Sequence, residues 1–140
     1  MRKDGSAKAA ASLRDAAFAA MENAYAPYSN FRVGAAIQAS DGSIVAGCNV
    51  ENAAYGEALC AERVAIAAAV AQGMKSFNEI AIASESDEPS PPCGSCRQTM
   101  SEFAPHLRIT SYAKNGKQTT WRLGDLLPEA FALNHLRGRM

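Results

Sequence analysis

Histidine is scarce in this chain of 140 residues: only His106 and His135 occur, and neither sits in a recognisable ligand or catalytic motif. Both read as loop or surface residues. An excess of one charge is also missing. Fourteen Lys and Arg residues balance fourteen Asp and Glu residues, for a formal net charge of zero. With no long basic stretch, a broad nucleic-acid or anionic-membrane surface is not expected. Nor is there an apolar run near the ~20 residues that span a bilayer. Lys8, Arg14 and Asp15 interrupt the alanine-rich segment 7–20, and Arg2 and Lys3 are not followed by an apolar stretch of the signal-peptide kind. Internal repeats, linkers and low-complexity blocks are absent too. A soluble, cytoplasmic protein is the expectation, and four cysteines in that setting suit metal binding or buried thiols better than disulfides.

What is present fits one domain spanning 1–140, long enough to build a core without staples. Leu13, Ala17, Ala20, Met21 and Ala24 recur at helical spacing over 7–24, and Pro27 ends the pattern. Alternation from Phe31 to Ala39 predicts a strand, Asp41-Gly42 a hairpin turn, and Ile44 to Val50 the returning strand. Ala61 to Gln72 reads as a helix capped by Gly73, Phe77 to Ala83 as a strand, and Cys93 to Phe103 as a helix stopped before Pro105. Strands over 107–113 and 119–123 flank the turn Asn115-Gly116, residues 126–131 close the domain, and the tail beyond is expected to be loosely held. Helices interleaved with strands in this order predict an α/β fold, with at least one right-handed crossover between strands.

Chemistry concentrates in two strings, Cys60-Ala61-Glu62 and Pro92-Cys93-Gly94-Ser95-Cys96. Cys93 and Cys96 lie one helical turn apart, and Cys60 and Cys93 each stand at a predicted helix start. There the free N–H groups and the helix dipole favour thiolate over thiol. Three thiolates suit Zn²⁺, and a catalytic zinc keeps its fourth position open for water. Glu62, beside a ligand without being needed as one, stands where a proton shuttle belongs; its duller reading is a favourable charge near a helix start. Three thiolates give a net negative complex, which Arg63 would offset as a donor to the sulfurs. Two other readings stay open. A redox Cys-x-x-Cys pair would leave Cys60-Ala-Glu unexplained, and a closed four-cysteine site would recruit Cys48, which sits in an apolar strand pattern and reads more simply as a small hydrophobe.

The runs Tyr25–Ala36, Gly47–Tyr55, Cys60–Arg63, Pro92–Gln98 and Leu126–Phe131, in this order, resemble the small homotetrameric zinc-dependent cytidine deaminases. The resemblance implies a three-layer α/β/α fold with a mixed central sheet of about five strands. It implies one Zn²⁺ per subunit on Cys60, Cys93 and Cys96, with Glu62 as the catalytic shuttle. Activated water would attack C4 of cytidine or 2′-deoxycytidine while Glu62 carries protons to N3 and to the departing ammonia, as in pyrimidine salvage. By the same resemblance Asn49 and Glu51 read the ribose, Phe31 packs on the base and the Ala61 backbone reads the base edge. Ala53, Tyr55 and Phe131 reach a neighbouring subunit's site within a homotetramer. Asn49 and Glu51, two apart on extended backbone, share a face and offer donors and acceptors to a sugar. Phe31 taken alone reads as a core aromatic. Glu57, near the expected site mouth, lies in a stretch that varies among such proteins.

Overall fold

A computed structural model describes residues 4–133; the tail and His135 lie outside the described residues. Its elements are α1 (Asp4–Met21), β1 (Val33–Ala39), β2 (Ile44–Cys48), α2 (Ala61–Ala71), β3 (Phe77–Ser84), α3 (Gly94–Phe103), β4 (Arg108–Tyr112), β5 (Gln118–Arg122) and α4 (Leu123–Leu126). The strands form one mixed sheet in the order β2-β1-β3-β4-β5. β1 is antiparallel to both β2 and β3, β3 and β4 run parallel with α3 between them, and β5 returns antiparallel to β4. The chain is therefore α/β, with the expected sheet of five strands. Among the described residues no helix is long and apolar enough to cross a membrane.

Strand alternation distributes the side chains between two apolar layers. On one face Ala36, Ala81, Ala83 and Tyr112 meet Leu13, Ala17 and Met21 of α1. On the other, Ile37, Ile80, Ile82 and Ile109 pack with Ala65, Ile66 and Ala69 of α2 and with Cys96 and Met100 of α3. Each fully buried Leu, Ile or Met side chain contributes about 2 kcal/mol of transfer free energy, and each buried alanine methyl less than about 1 kcal/mol. Two glycines let the helices sit close. A Cβ at Gly34 would lie 1.9 Å from the Ala17 carbonyl of α1, and one at Gly47 would lie 2.6 Å from the Ala65 amide of α2.

The local signals end the elements where expected, with small differences. Gly73, at φ +93°, closes α2 in a Schellman arrangement, with Gly73 N–H donating to Val70 O and Met74 N–H to Ala69 O. Gly42 has φ +92° in the hairpin turn. α1 stops at Met21, ahead of Ala24, because Tyr25 already pairs with the chain after β2, its N–H donating to Asn49 O. The last strand ends at Arg122, and Leu123–Leu126 forms a one-turn helix in place of further strand.

Candidate metal centre and active-site cleft

The ends of β2 and β3 deliver two helix starts to one point. Cys60 is the residue just before α2 and Cys93 the residue just before α3, and neither uses its side chain to cap its helix. The first-turn N–H groups are thus left facing the sulfurs. Cys60 Sγ lies 3.8 Å from Cys93 Sγ, and Cys93 Sγ lies 3.4 Å from Cys96 Sγ. All three sulfurs fall within 4.8 Å of one another. Cys48, half-buried at the end of β2, is not part of this group. It lines a separate groove with Ala16 and Ala20 of α1, Asn23 just beyond that helix, and Val64 of α2. A four-cysteine centre is thereby ruled out.

One thiolate of the trio forms readily. Hydrogen bonding from Cys96 pulls the Cys60 thiol down to about 5, aided by Cys93 and by the Arg63 guanidinium and opposed by burial. Cys96 is raised in turn, first by that same bond to Cys60 and then by burial. A cluster that holds one negative charge alone, and resists more, is suited to a dication that displaces the remaining protons. Arg63 donates from Nη2 to Ala58 O at 3.0 Å, while its buried Nε has no partner. Three soft donors with a guanidinium beside them fit Zn²⁺.

Next to the trio is a cleft of about 310 Å³, lined by Phe31, Val33, Asn49, Glu51, Ala58, Leu59, Cys60, Ala61, Glu62, Ile82, Ser90 and Pro91. Glu62 is 5 % exposed, and burial raises its carboxyl above the usual range, with the Cys60 charge adding to the effect. The lining has two carboxylates and no cationic side chain. Phe31, 37 % exposed, belongs to this wall rather than to the core.

Asn49 and Glu51 reach the cleft, as their spacing predicts, but both also brace it. Asn49 Oδ1 accepts from Val33 N–H at 2.8 Å and its Nδ2 donates to Phe31 O at 2.9 Å. Glu51 accepts from the N–H groups of Tyr28 and Ser29 at 3.0 and 3.1 Å and from the Ser29 hydroxyl. The Ser29 hydroxyl is the main reason its carboxyl sits below the usual range. Each side chain keeps spare lone pairs, and Asn49 keeps one N–H. Leu59, Ser90 and Pro91 also line the cleft, although no motif or spacing selects them.

Ala53, Tyr55 and Phe131 stand outside the cleft and face solvent in the isolated chain, Tyr55 at 80 % and Phe131 at 63 % exposure. Phe131 is nonetheless fixed, since Gln98 Nε2 donates to its carbonyl at 2.9 Å. Glu57 is exposed in a short 3₁₀ turn, Tyr55–Glu57, and does not line the cleft.

Residues 8–111 match the family described as the cytidine and deoxycytidylate deaminase zinc-binding region. The chain belongs to this family. A cytidine deaminase of Sporosarcina psychrophila is 43% identical over 120 residues, which cover 84% of this chain and 87% of that one. Another, from Halalkalibacterium halodurans, is 42% identical over 116 residues, covering 82% and 88%. The crystal structure of cytidine deaminase from Burkholderia pseudomallei superposes with a TM-score of 0.83 at 48% identity, over 86% of this chain and 98% of that one. Family membership and the sulfur trio together identify zinc as the cofactor of this deaminase-family chain.

Proposed function

We propose that this chain deaminates cytidine and 2′-deoxycytidine hydrolytically, giving uridine and 2′-deoxyuridine with release of ammonia. The observation that carries the reading is the buried Glu62 beside the sulfur trio, in a cleft without any cation. A phosphate on the substrate would meet two carboxylates and no Lys or Arg, so a neutral nucleoside fits better than a nucleotide.

Cys60, Cys93 and Cys96 hold the zinc, and Arg63 offsets their charge. When bound, zinc supplies the Lewis acidity that makes water a nucleophile at neutral pH. Glu62 takes the proton that this water loses as its oxygen bonds to C4 of the pyrimidine, and passes it to N3. It next takes the remaining proton from the hydroxyl now on C4 and delivers it to the 4-amino group; the C4–N4 bond breaks as the C4 carbonyl forms, and ammonia leaves. A carboxyl held above its usual range by burial is suited to both giving and taking that proton. Phe31 packs against the base, the Ala61 backbone reads its edge, and Asn49 and Glu51 meet the sugar hydroxyls.

The active assembly is a homotetramer in the cytoplasm. Tyr25, Tyr28, Tyr55, Leu59 and Phe131 are large apolar or aromatic residues left exposed, Leu59 in the cleft wall itself. An apolar surface of this kind marks an interaction face, and a neighbouring copy would cover it. Ala53, Tyr55 and Phe131 then complete the neighbour's site. Loss of cytidine absorbance, measured with and without a chelator on sedimentation fractions, tests the reading. Chelator-sensitive turnover is expected at about four times the 14.8 kDa chain mass. No turnover would refute the deaminase reading, and a fully active monomer would refute the shared site.

A further inference from the structure

Both walls of the cleft leave the sheet at one place. Val33 and Ser84 form the last register pair of β1 with β3. One residue before Val33 is Arg32, which leads to the Phe31 wall. One residue after Ser84 is Glu85, which begins the loop to the Ser90–Pro91 wall and then to Cys93. A regular ladder would continue with backbone bonds, but here a side chain closes it. Arg32 N–H donates to Glu85 Oε1 at 2.8 Å, and the guanidinium donates from Nε and Nη2 to the same carboxylate at 3.2 and 3.1 Å. Nη1 of Arg32 extends the grip to Glu22, just beyond α1, at 3.2 Å.

The same loop is tied on its far side to the β4–β5 turn. Asn115 Nδ2 donates to Asp87 O at 3.0 Å, and Lys117 Nζ pairs with Glu88 at 2.7 Å. Ser90 and Pro91 follow both fixings along the chain, and beyond the Val33–Ser84 register pair the Arg32–Glu85 contact ties their loop to the Phe31 wall. Planar two-pronged Arg–carboxylate pairing defines an orientation as well as a distance, which an ammonium cannot do. Both side chains are about one-third exposed (36% and 32%), so the pair is a modest contributor to folding and is better suited to fixing geometry.

We infer that Arg32 and Glu85 form a positioning clasp that sets the separation of Phe31 from Ser90–Pro91, and so the grip of the cleft on the nucleoside. The inference rests on the cleft being the nucleoside site. Neither residue touches the reacting atoms. Both act through the walls, so binding should suffer more than the chemical step.

The test is a double-mutant cycle on the zinc-loaded protein, with Arg32→Gln, Glu85→Gln, the double variant, and Arg32→Lys as the conservative change. Arg14→Gln, which breaks an exposed ion pair remote from the cleft, is the control. Each single Gln variant is expected to raise KM for cytidine about three- to fivefold, with kcat held within about twofold and zinc content unchanged. The double variant should be no worse than the worse single, and Arg32→Lys should fall between wild type and Arg32→Gln. Unchanged KM, multiplicative effects, or a fall in kcat at constant KM would overturn the clasp. Amide hydrogen exchange gives a readout free of turnover. Arg32→Gln should speed exchange at Phe31 and Ser90 together, and equal protection at both overturns the inference even if the protein proves to act on another substrate. A wild type that leaves cytidine intact while these amides respond would defeat the functional reading alone.

Discussion

Replacing Gly47 by alanine is expected to damage catalysis, whereas the same change at Gly34 is expected to damage stability alone. The two glycines sit on neighbouring strands and face opposite helices. At position 47 a new methyl would meet Ala65 N at 2.6 Å, and Ala61 O and Val64 Cγ1 at 3.0 Å, all on α2. Ordinary contact begins near 3.4 Å, so the start of α2 must retreat by roughly 0.5–1 Å. That start carries Cys60 and Glu62, while Cys93 and Cys96 stay with α3, so the trio and its shuttle separate. Overpacking costs about 1–3 kcal/mol, offset by about 0.4–1 kcal/mol because alanine restricts the unfolded chain. At about 3 °C per kcal/mol for a chain of this size, the net cost should lower the melting temperature by no more than about 8 °C. Turnover should fall by about ten- to a hundredfold, since misplacement on this scale is expensive in an active site. At position 34 the methyl would lie 1.9 Å from Ala17 O and 2.6 Å from Met21 N, both backbone atoms of α1. This deeper clash should cost about 3 kcal/mol and roughly 10 °C, yet α1 carries no lining residue of the cleft, so kcat should survive. Circular dichroism gives the melting temperatures, and cytidine absorbance well below both transitions gives kcat. Full kcat in folded Gly47→Ala, or equal losses in the two variants, would refute the reasoning.

Two further outcomes follow from the site. Cys96→Ser replaces a fully buried sulfur by a harder, shorter donor, so zinc per chain by elemental analysis should drop well below one, and a full complement would remove Cys96 from the ligand set. Glu51 is held below the usual carboxylate range chiefly by Ser29. Its contribution to stability is therefore complete above the ordinary glutamate pKa of about 4.3 and is lost as the pH falls through the lowered value. The melting-temperature gap between wild type and Glu51→Gln should accordingly hold steady above about pH 5 and narrow as the pH falls below about 4.3, and a gap that stays constant through the acid range would contradict that role.

The sequence made the metal centre legible because much of its geometry is local. Cys93 and Cys96 share a helical turn, and Cys60 and Cys93 each precede a helix, so spacing marks three thiolate-favouring positions, while the meeting of Cys60 with the pair depends on the fold. Capping and turn residues, Gly42 and Gly73 among them, located most element boundaries. The order β2-β1-β3-β4-β5 was not legible, since it depends on which strands share a buried face and not on anything within a strand. For the same reason the second task of Asn49 and Glu51, holding residues 28–33, could not be read: their partners lie some twenty positions away. Ser90 and Pro91 look like ordinary loop, and only the tertiary path of β3 brings them to the cleft. The turn Leu123–Leu126 was missed because Leu-Gly-Asp-Leu carries no helix signal, and the bond from Leu123 N–H to Leu107 O prolongs the strand's appearance to that residue.

Glu62→Gln tests the central claim most directly. The amide keeps the shape of the side chain and cannot carry a proton between water, N3 and the leaving amine. Zinc content and melting temperature should match wild type, while kcat for cytidine should fall by at least about a thousandfold. Turnover near the wild-type rate at equal zinc content would contradict the account.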